Sequence, residues 1–214
     1  MTDSTNAFKR LTAAEALRAL YIDFEGEKDK PPVILGVHRR GRGARPFVYV
    51  DVVDETFASL AASSRSLHNA VATVVRRAEH GDRRIVSWTE HDLKVVRTLQ
   101  DEDPDIVARF EDRYANARLV ARRWRNKLHG GDNPESGRLA DYFALIGYSV
   151  PDEAVAGKVG ETIRVLRRGL ERGLPLTASQ RSRWERLVEH NRHDCAGMRR
   201  VCLLATQELE ATEG

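Results

Sequence analysis

The sequence predicts an α/β protein built on a mixed sheet, and three observations carry that prediction. Three short strand-like segments lie within the first quarter of the chain, a fourth follows a single helix, and helical periodicity fills most of the remainder. A short helix over 11–18 opens the pattern. Leu20-Tyr21-Ile22-Asp23-Phe24-Glu25 then alternates as a strand does, and a polar turn containing proline leads to a second strand over 33–37. The Arg/Gly stretch from His38 to Arg45 makes a hairpin turn into a third strand over 46–52. Ser63 or Ser64 can cap a helix reaching Glu79, with Leu67, Val71, Val74, Val75 and Ala78 on one face. His80-Gly81-Asp82 stops it before a fourth strand over 84–88, and a helix starts near Glu90. From Asp101 to Lys127 two readings stand, a fifth strand near 117–121 or helix throughout. A Gly/Asn/Pro/Ser loop over 129–137 precedes helices over 139–146 and 158–172. Thr177 or Ser179 caps a long last helix over about 178–210.

At 214 residues, with no internal repeat and no long linker, the chain is expected to form one domain over 1–214, with residues 1–10 disordered. No window approaches the roughly 20 apolar residues of a membrane span, and the polar first ten residues lack the apolar core of a secretion signal. Cys195 and Cys202 fall about 10 Å apart along the last helix, too far to be bridged to each other. A reduced, cytoplasmic protein is the expectation. Net charge is only +3, yet arginine far outnumbers lysine and gathers in two runs, 38–45 and 118–127. Arg39, Arg40, Arg42, Arg122 and Arg123 are candidates to contact nucleic acid, because guanidinium forks match phosphate oxygens. The arginine bias of a GC-rich genome would produce the same runs.

The carboxylates are more informative. Asp23 and Glu25 are one residue apart in a strand, so both project from one face, opposite Leu20, Ile22 and Phe24. Two adjacent anions on one face repel unless a cation lies between them, and a hard divalent ion prefers such oxygens. Solvated acids on an edge strand are the ordinary alternative. Asp92 follows the fourth strand where a helix begins, a position that lines sites in open α/β sheets but also suits a first-turn acid favoured by the helix dipole. In the last helix, Asp194 falls close to the centre of an apolar stripe running from Trp184 to Leu209. Asn191 lies within that stripe, His190 sits at its edge, and His193 points away as a surface histidine. An acid among core positions calls for a partner, either an arginine or a metal.

Three stretches together resemble a known constellation. They are Tyr21-Ile22-Asp23-Phe24-Glu25, Ile85-Val86-Ser87-Trp88-Thr89-Glu90-His91-Asp92-Leu93 and His190-Asn191-Arg192-His193-Asp194-Cys195, with an echo in Leu139-Ala140-Asp141-Tyr142-Phe143-Ala144-Leu145-Ile146-Gly147. Their order resembles the DEDD 3′–5′ exonucleases of the ribonuclease H-like superfamily, and more closely the YprB-type ribonuclease H-like domains. The resemblance implies a sheet of three antiparallel strands followed by parallel ones, flanked by helices. It further implies two Mg2+ or Mn2+ ions held by Asp23, Glu25, Asp92 and Asp194, with His190 as the group that orients or deprotonates the attacking water. The substrate would be DNA or RNA. One departure stands out: His190 lies four residues before Asp194, the spacing of the tyrosine branch, whereas the histidine branch uses five. His190-Asn191 thus looks like a Tyr-to-His exchange, with His193 and His91 as lesser alternatives. An endonuclease with the same site, and a nucleic-acid-binding module without catalysis, remain as other readings. A zinc protein using His190 and His193 is a third, unsupported by any C-x-x-C or H-E-x-x-H pattern.

Overall fold

Alternating apolar residues in 20–26 and 32–40 place a strand pair at the centre of the molecule, and everything else packs on its two faces. The computed structural model describes residues 11–40, 46–128, 137–155 and 157–213. The hairpin turn with Arg42, the disorder expected for residues 1–10 and most of the 129–137 loop fall outside the described residues. Helix α1 (Ala13–Arg18) precedes strands β1 (Leu20–Gly26), β2 (Pro32–Arg40) and β3 (Pro46–Val52). After a 3-10 turn (Glu55–Leu60) come α2 (Leu67–His80), β4 (Ile85–Ser87), α3 (Glu90–Arg97), α4 (Pro104–Arg113) and β5 (Tyr114–Asn116). Helices α5 (Ala117–Leu128), α6 (Leu139–Leu145), α7 (Val159–Glu171) and α8 (Ala178–Ala211) complete the chain.

The strands form one open sheet in the order β3-β2-β1-β4-β5. Strands β1, β2 and β3 are antiparallel, whereas β1/β4 and β4/β5 are parallel, so the sheet is mixed, as the sequence predicts. Even-numbered residues of β1 face one side. Leu20, Ile22 and Phe24 pack there with Val71, Val74, Leu93 and Phe110 of α2, α3 and α4. Tyr21 faces the other side, with Trp124 of α5 and Met198 and Cys202 of α8. A third cluster joins Ile34, Val52 and Phe57 to Ile163 and Leu166 of α7 and Leu187 of α8.

Two local expectations are corrected. The fifth strand is Tyr114–Asn116, upstream of 117–121, and the region is not helical throughout. All three β5 residues are buried, so the strand has no polar alternation to betray it. Ala117, Val120, Ala121 and Trp124, spaced three and four apart, instead make the buried stripe of α5. The cap of α2 is Ser66 rather than Ser63 or Ser64, its hydroxyl accepting from the Asn69 amide at 3.2 Å. Ser63 is otherwise engaged, donating to Asp51 at 2.6 Å, and Ser64 bridges to Val52.

Helix α8 begins at a capping box between Thr177 and Gln180, and at 34 residues it extends roughly 50 Å. That length carries it across β3, β2 and β1 in turn. Cys195 and Cys202 both lie on it as buried free thiols. The far end of β1 is pinned by a buried ion cluster. Arg167 of α7 donates to Glu27 at 2.8 Å and to Asp54 at 2.7 Å, which fixes the chain two residues beyond Glu25. Among the described residues no helix is long and apolar enough to cross a membrane.

Candidate metal centre

Strand β1 is the middle strand of five, so the side chains of Asp23 and Glu25 emerge from the heart of the sheet toward α8. Both are only partly exposed. They come from strand period alone: with Tyr21 they occupy the face opposite Leu20, Ile22 and Phe24. The solvated edge-strand reading therefore does not describe them.

Asp92 reaches the same place from α3. Thr89 caps that helix, accepting from the His91 amide at 3.2 Å, which leaves Asp92 free of any capping duty. Its side chain turns inward, only 3% exposed, and one carboxylate oxygen accepts the Phe24 amide proton at 2.9 Å. Strand β4 pairs with β1 only at Leu20 and Tyr21. Beyond its end, the Phe24 N–H would lack an acceptor, and Asp92 supplies one.

His190 and Asp194 descend from α8, one turn apart, with 3.5 Å between the histidine Nε2 and an aspartate oxygen. Asp194 is not at the centre of the apolar stripe. Its side chain retains 20% exposure, whereas Asn191 and Cys195 are fully buried, so the stripe is centred on those two and Asp194 stands at its flank. A flanking position lets the carboxylate meet Glu25 instead of hydrophobic neighbours. One ligand atom each from Glu25, His190 and Asp194 falls within a group 4.8 Å across. Asp23 and Asp92 are not members of that group.

Two residues outside the predicted ligand set fix this geometry, one of them the Asn191 noted within the apolar stripe. Asn191 donates to the Asp23 backbone carbonyl at 3.0 Å and to its carboxylate at 2.8 Å. Gly36 lies opposite Asp23 in β2. A Cβ there would fall 1.9 Å from the Asn191 Oδ1 and 3.0 Å from the Cys195 Sγ, so only glycine lets α8 come this close. Both left a trace in the sequence: a polar residue inside an apolar helical stripe, and a lone glycine inside a strand. His193 is also corrected. It is half-buried and hydrogen-bonded at 3.0 Å through Nδ1 to the Tyr148 hydroxyl, because the chain leaving α6 folds back against α8. Gly197 allows that approach, since a Cβ there would meet the Phe143 ring at 2.3 Å.

No family model matches the chain, and neither curated proteins nor solved structures yield a match.

The electrostatics of the cluster are those of anions forced together. Burial, then the charges of Glu25, Asp194 and Asp92, hold the Asp23 carboxyl well above its ordinary range, against the lowering hydrogen bond from Asn191. Burial and the charges of Asp194 and Asp92 push Glu25 up to about 8. Asp92 is pushed to about 6 by burial, opposed by the Phe24 amide. Asp194 is raised by burial, with His190 and His193 acting against it. Among the described residues, no lysine or arginine pairs with any of the four. Carboxylates gathered this closely suit a hard divalent cation, and Glu25, Asp194, Asp23 and Asp92 offer the oxygen donors such an ion takes. The predicted acids are thus brought together.

The described ones among the predicted arginines lie on other elements. Arg39 lies on β2 and is partly buried, and Arg40 ends that strand. Arg122 is exposed on α5, and Arg123 pairs with Glu213 beyond the end of α8.

These shifts fix the sign of a pH effect. Glu25 and Asp92 have folded-state values of about 8 and about 6, above their ordinary 4.5 and 3.8. Their contribution to stability is therefore full below those ordinary values and is lost as pH rises through 6 and then 8. A divalent ion binds the deprotonated carboxylates and should restore what is lost. Thermal melting at pH 5 and pH 8.5 is expected to show a Mn2+-induced stabilisation that is small at the lower pH and large at the higher. An equal shift at both would count against these carboxylates as ligands.

Proposed function

We propose that the protein is a divalent-metal-dependent nuclease of ribonuclease H-like fold, hydrolysing DNA or RNA as a 3′–5′ exonuclease. One observation carries the reading. Four carboxylates from β1, α3 and α8 converge at the carboxyl end of the central strand, and among the described residues no lysine or arginine pairs with them. The sheet supports it too, with three antiparallel strands followed by parallel ones, the arrangement that the resemblance implies. When bound, two Mg2+ or Mn2+ ions would supply an activated water and stabilise the leaving oxygen of the phosphodiester.

The chain's own residues then have separable tasks. Asp23, Glu25, Asp92 and Asp194 hold the ions. Asn191 orients the Asp23 carboxylate through one hydrogen bond and holds its backbone carbonyl through another, and the Phe24 amide orients Asp92. His190 brings a ring nitrogen into the group formed with Glu25 and Asp194, where it accepts a proton from the attacking water. The two buried free thiols fit a reducing compartment, the cytoplasm.

The test uses an end-labelled single-stranded oligonucleotide in Mn2+, in Mg2+ and in chelator. Stepwise shortening from the 3′ end, seen only with metal, is the expected result, with a circular strand of the same sequence left intact. A nicked circle would assign an endonuclease to the same centre, and intact linear and circular strands in both metals would overturn the nuclease reading.

A further inference from the structure

The basic run of α5 is divided by the fold into two faces with different fates. Arg123 and Lys127 lie on one flank of the helix and both pair with Glu213, the latter at 3.1 Å. Arg118, Arg122 and Arg125 lie on the other flank, within about 60° of one another at roughly 100° per residue. Among the described residues, none of those three guanidinium groups has an ion-pair or hydrogen-bond partner, and the Arg125 Nη1 is itself buried without one. Several arginines elsewhere are held in ion pairs: Arg65 with Asp51, Arg97 with Glu111, Arg109 with Glu79, and Arg167 with Glu27 and Asp54. Three unpaired cations thus share one face of α5, opposite its paired flank.

The first of them, Arg118, lies at the acid cluster's end of the sheet. Strands β1, β4 and β5 run parallel, so their carboxyl ends share an edge, and α5 starts directly from the end of β5. The Arg118 amide donates to the Trp88 carbonyl at 3.1 Å, which ties the first turn of α5 to the segment that leads into Asp92. The charges of Arg125, Arg118 and Arg122 lower the Tyr142 phenol against the raising effect of burial, and the Tyr142 ring packs edge-on against Trp88 at 5.1 Å. From Arg118 to Arg125 the helix rises roughly 10 Å, enough to meet two or three successive phosphates of one strand. A single line of cations on one helix addresses one backbone rather than both strands of a duplex.

We propose that Arg118, Arg122 and Arg125 form the phosphate track that holds a single nucleic-acid strand on its way to the acid cluster. This rests on the nuclease reading above. Arg122 was already a candidate from the sequence, whereas Arg118 and Arg125 are added by the fold, and Arg123 belongs to the paired flank.

The test separates the track from the chemistry. Binding of a fluorescent single-stranded oligonucleotide is measured in chelator, over a salt series, for the wild type, for Arg118→Gln/Arg122→Gln/Arg125→Gln, and for Arg123→Gln/Lys127→Gln. Hydrolysis of a small chromogenic phosphodiester in Mn2+ is measured beside it, and thermal melting confirms that each variant is folded. The triple variant is expected to bind at least ~10-fold more weakly and to lose about 2 from the slope of log affinity against log salt, while hydrolysing the small diester at the wild-type rate. The double variant should bind within about 3-fold of wild type, since its side chains are already paired. Unchanged affinity and slope in a folded triple variant would overturn the track. Absence of small-diester hydrolysis in the wild type would instead count against the metal chemistry, with the binding result still deciding the track.

Discussion

Replacing Asp23 with asparagine is expected to remove metal-dependent strand cleavage while making the metal-free protein more stable. The two effects have opposite signs because the same charge serves one state and burdens the other. With metal present, Asp23 is a central donor, and losing several kcal/mol of charge stabilisation in the transition state corresponds to a fall of about 10^3-fold or more in rate. Without metal, burial and the charges of Glu25, Asp194 and Asp92 make the ionised Asp23 carboxylate unfavourable. Its replacement keeps an oxygen that can still accept from Asn191, so the hydrogen bond at 2.8 Å need not be lost while the repulsion is. Glu25 should also titrate closer to its ordinary value. The measurements are oligonucleotide cleavage in Mn2+ and thermal melting in chelator at pH 8. A variant that cleaves normally would remove Asp23 from the centre. A variant that is inactive and also less stable in chelator would mean that the carboxylate is a structural anchor instead of a strained ligand.

Gly36→Ala is expected to be the most damaging single methyl group in the molecule. The added carbon would lie 1.9 Å from the Asn191 Oδ1 and 2.8 Å from its Cγ. Gly36 sits in β2 between β1 and β3, paired with Asp23 on one side and Val50 on the other, so the strand cannot retreat. Helix α8 has to move instead, and overpacking of this kind costs about 1–3 kcal/mol or more. The displacement falls on the turn carrying His190, Asn191 and Asp194, so cleavage should drop further than stability alone explains. Gly160→Ala is the matched control: the nearest atom to its Cβ is 3.8 Å away, in the first turn of α7, and alanine there should be neutral or stabilising by up to about 1 kcal/mol. Urea unfolding midpoints for both variants, with cleavage rates measured well below the midpoint, provide the check. Equal behaviour of the two variants would show that α8 does not depend on the close approach at Gly36.

Much of this architecture is local and therefore legible in the chain. The alternation in 20–26 puts Asp23 and Glu25 on one face whatever surrounds them, because a strand's period is two. Thr177 announces the start of α8 through a capping box that needs only Gln180, three residues on. What was misread has a common cause. Strand β5 is three residues long and buried on every side, so its pattern cannot be told from its neighbours'. His193 looks exposed on a helical wheel and is not, because Tyr148 arrives from a segment 45 residues away.

The sequence by itself determined the α/β class, the paired acids of β1, the long final helix and the residue types a divalent ion prefers. Only the tertiary structure decided that Asp92 faces β1 instead of capping its helix, that Asn191 holds Asp23 across 168 residues of chain, and that the arginines of α5 divide into a paired and an unpaired face. The physical reason is the same each time. Periodicity tells which way a side chain points within its own element, but its charge state and its partners are set by whatever another element brings within a few ångströms.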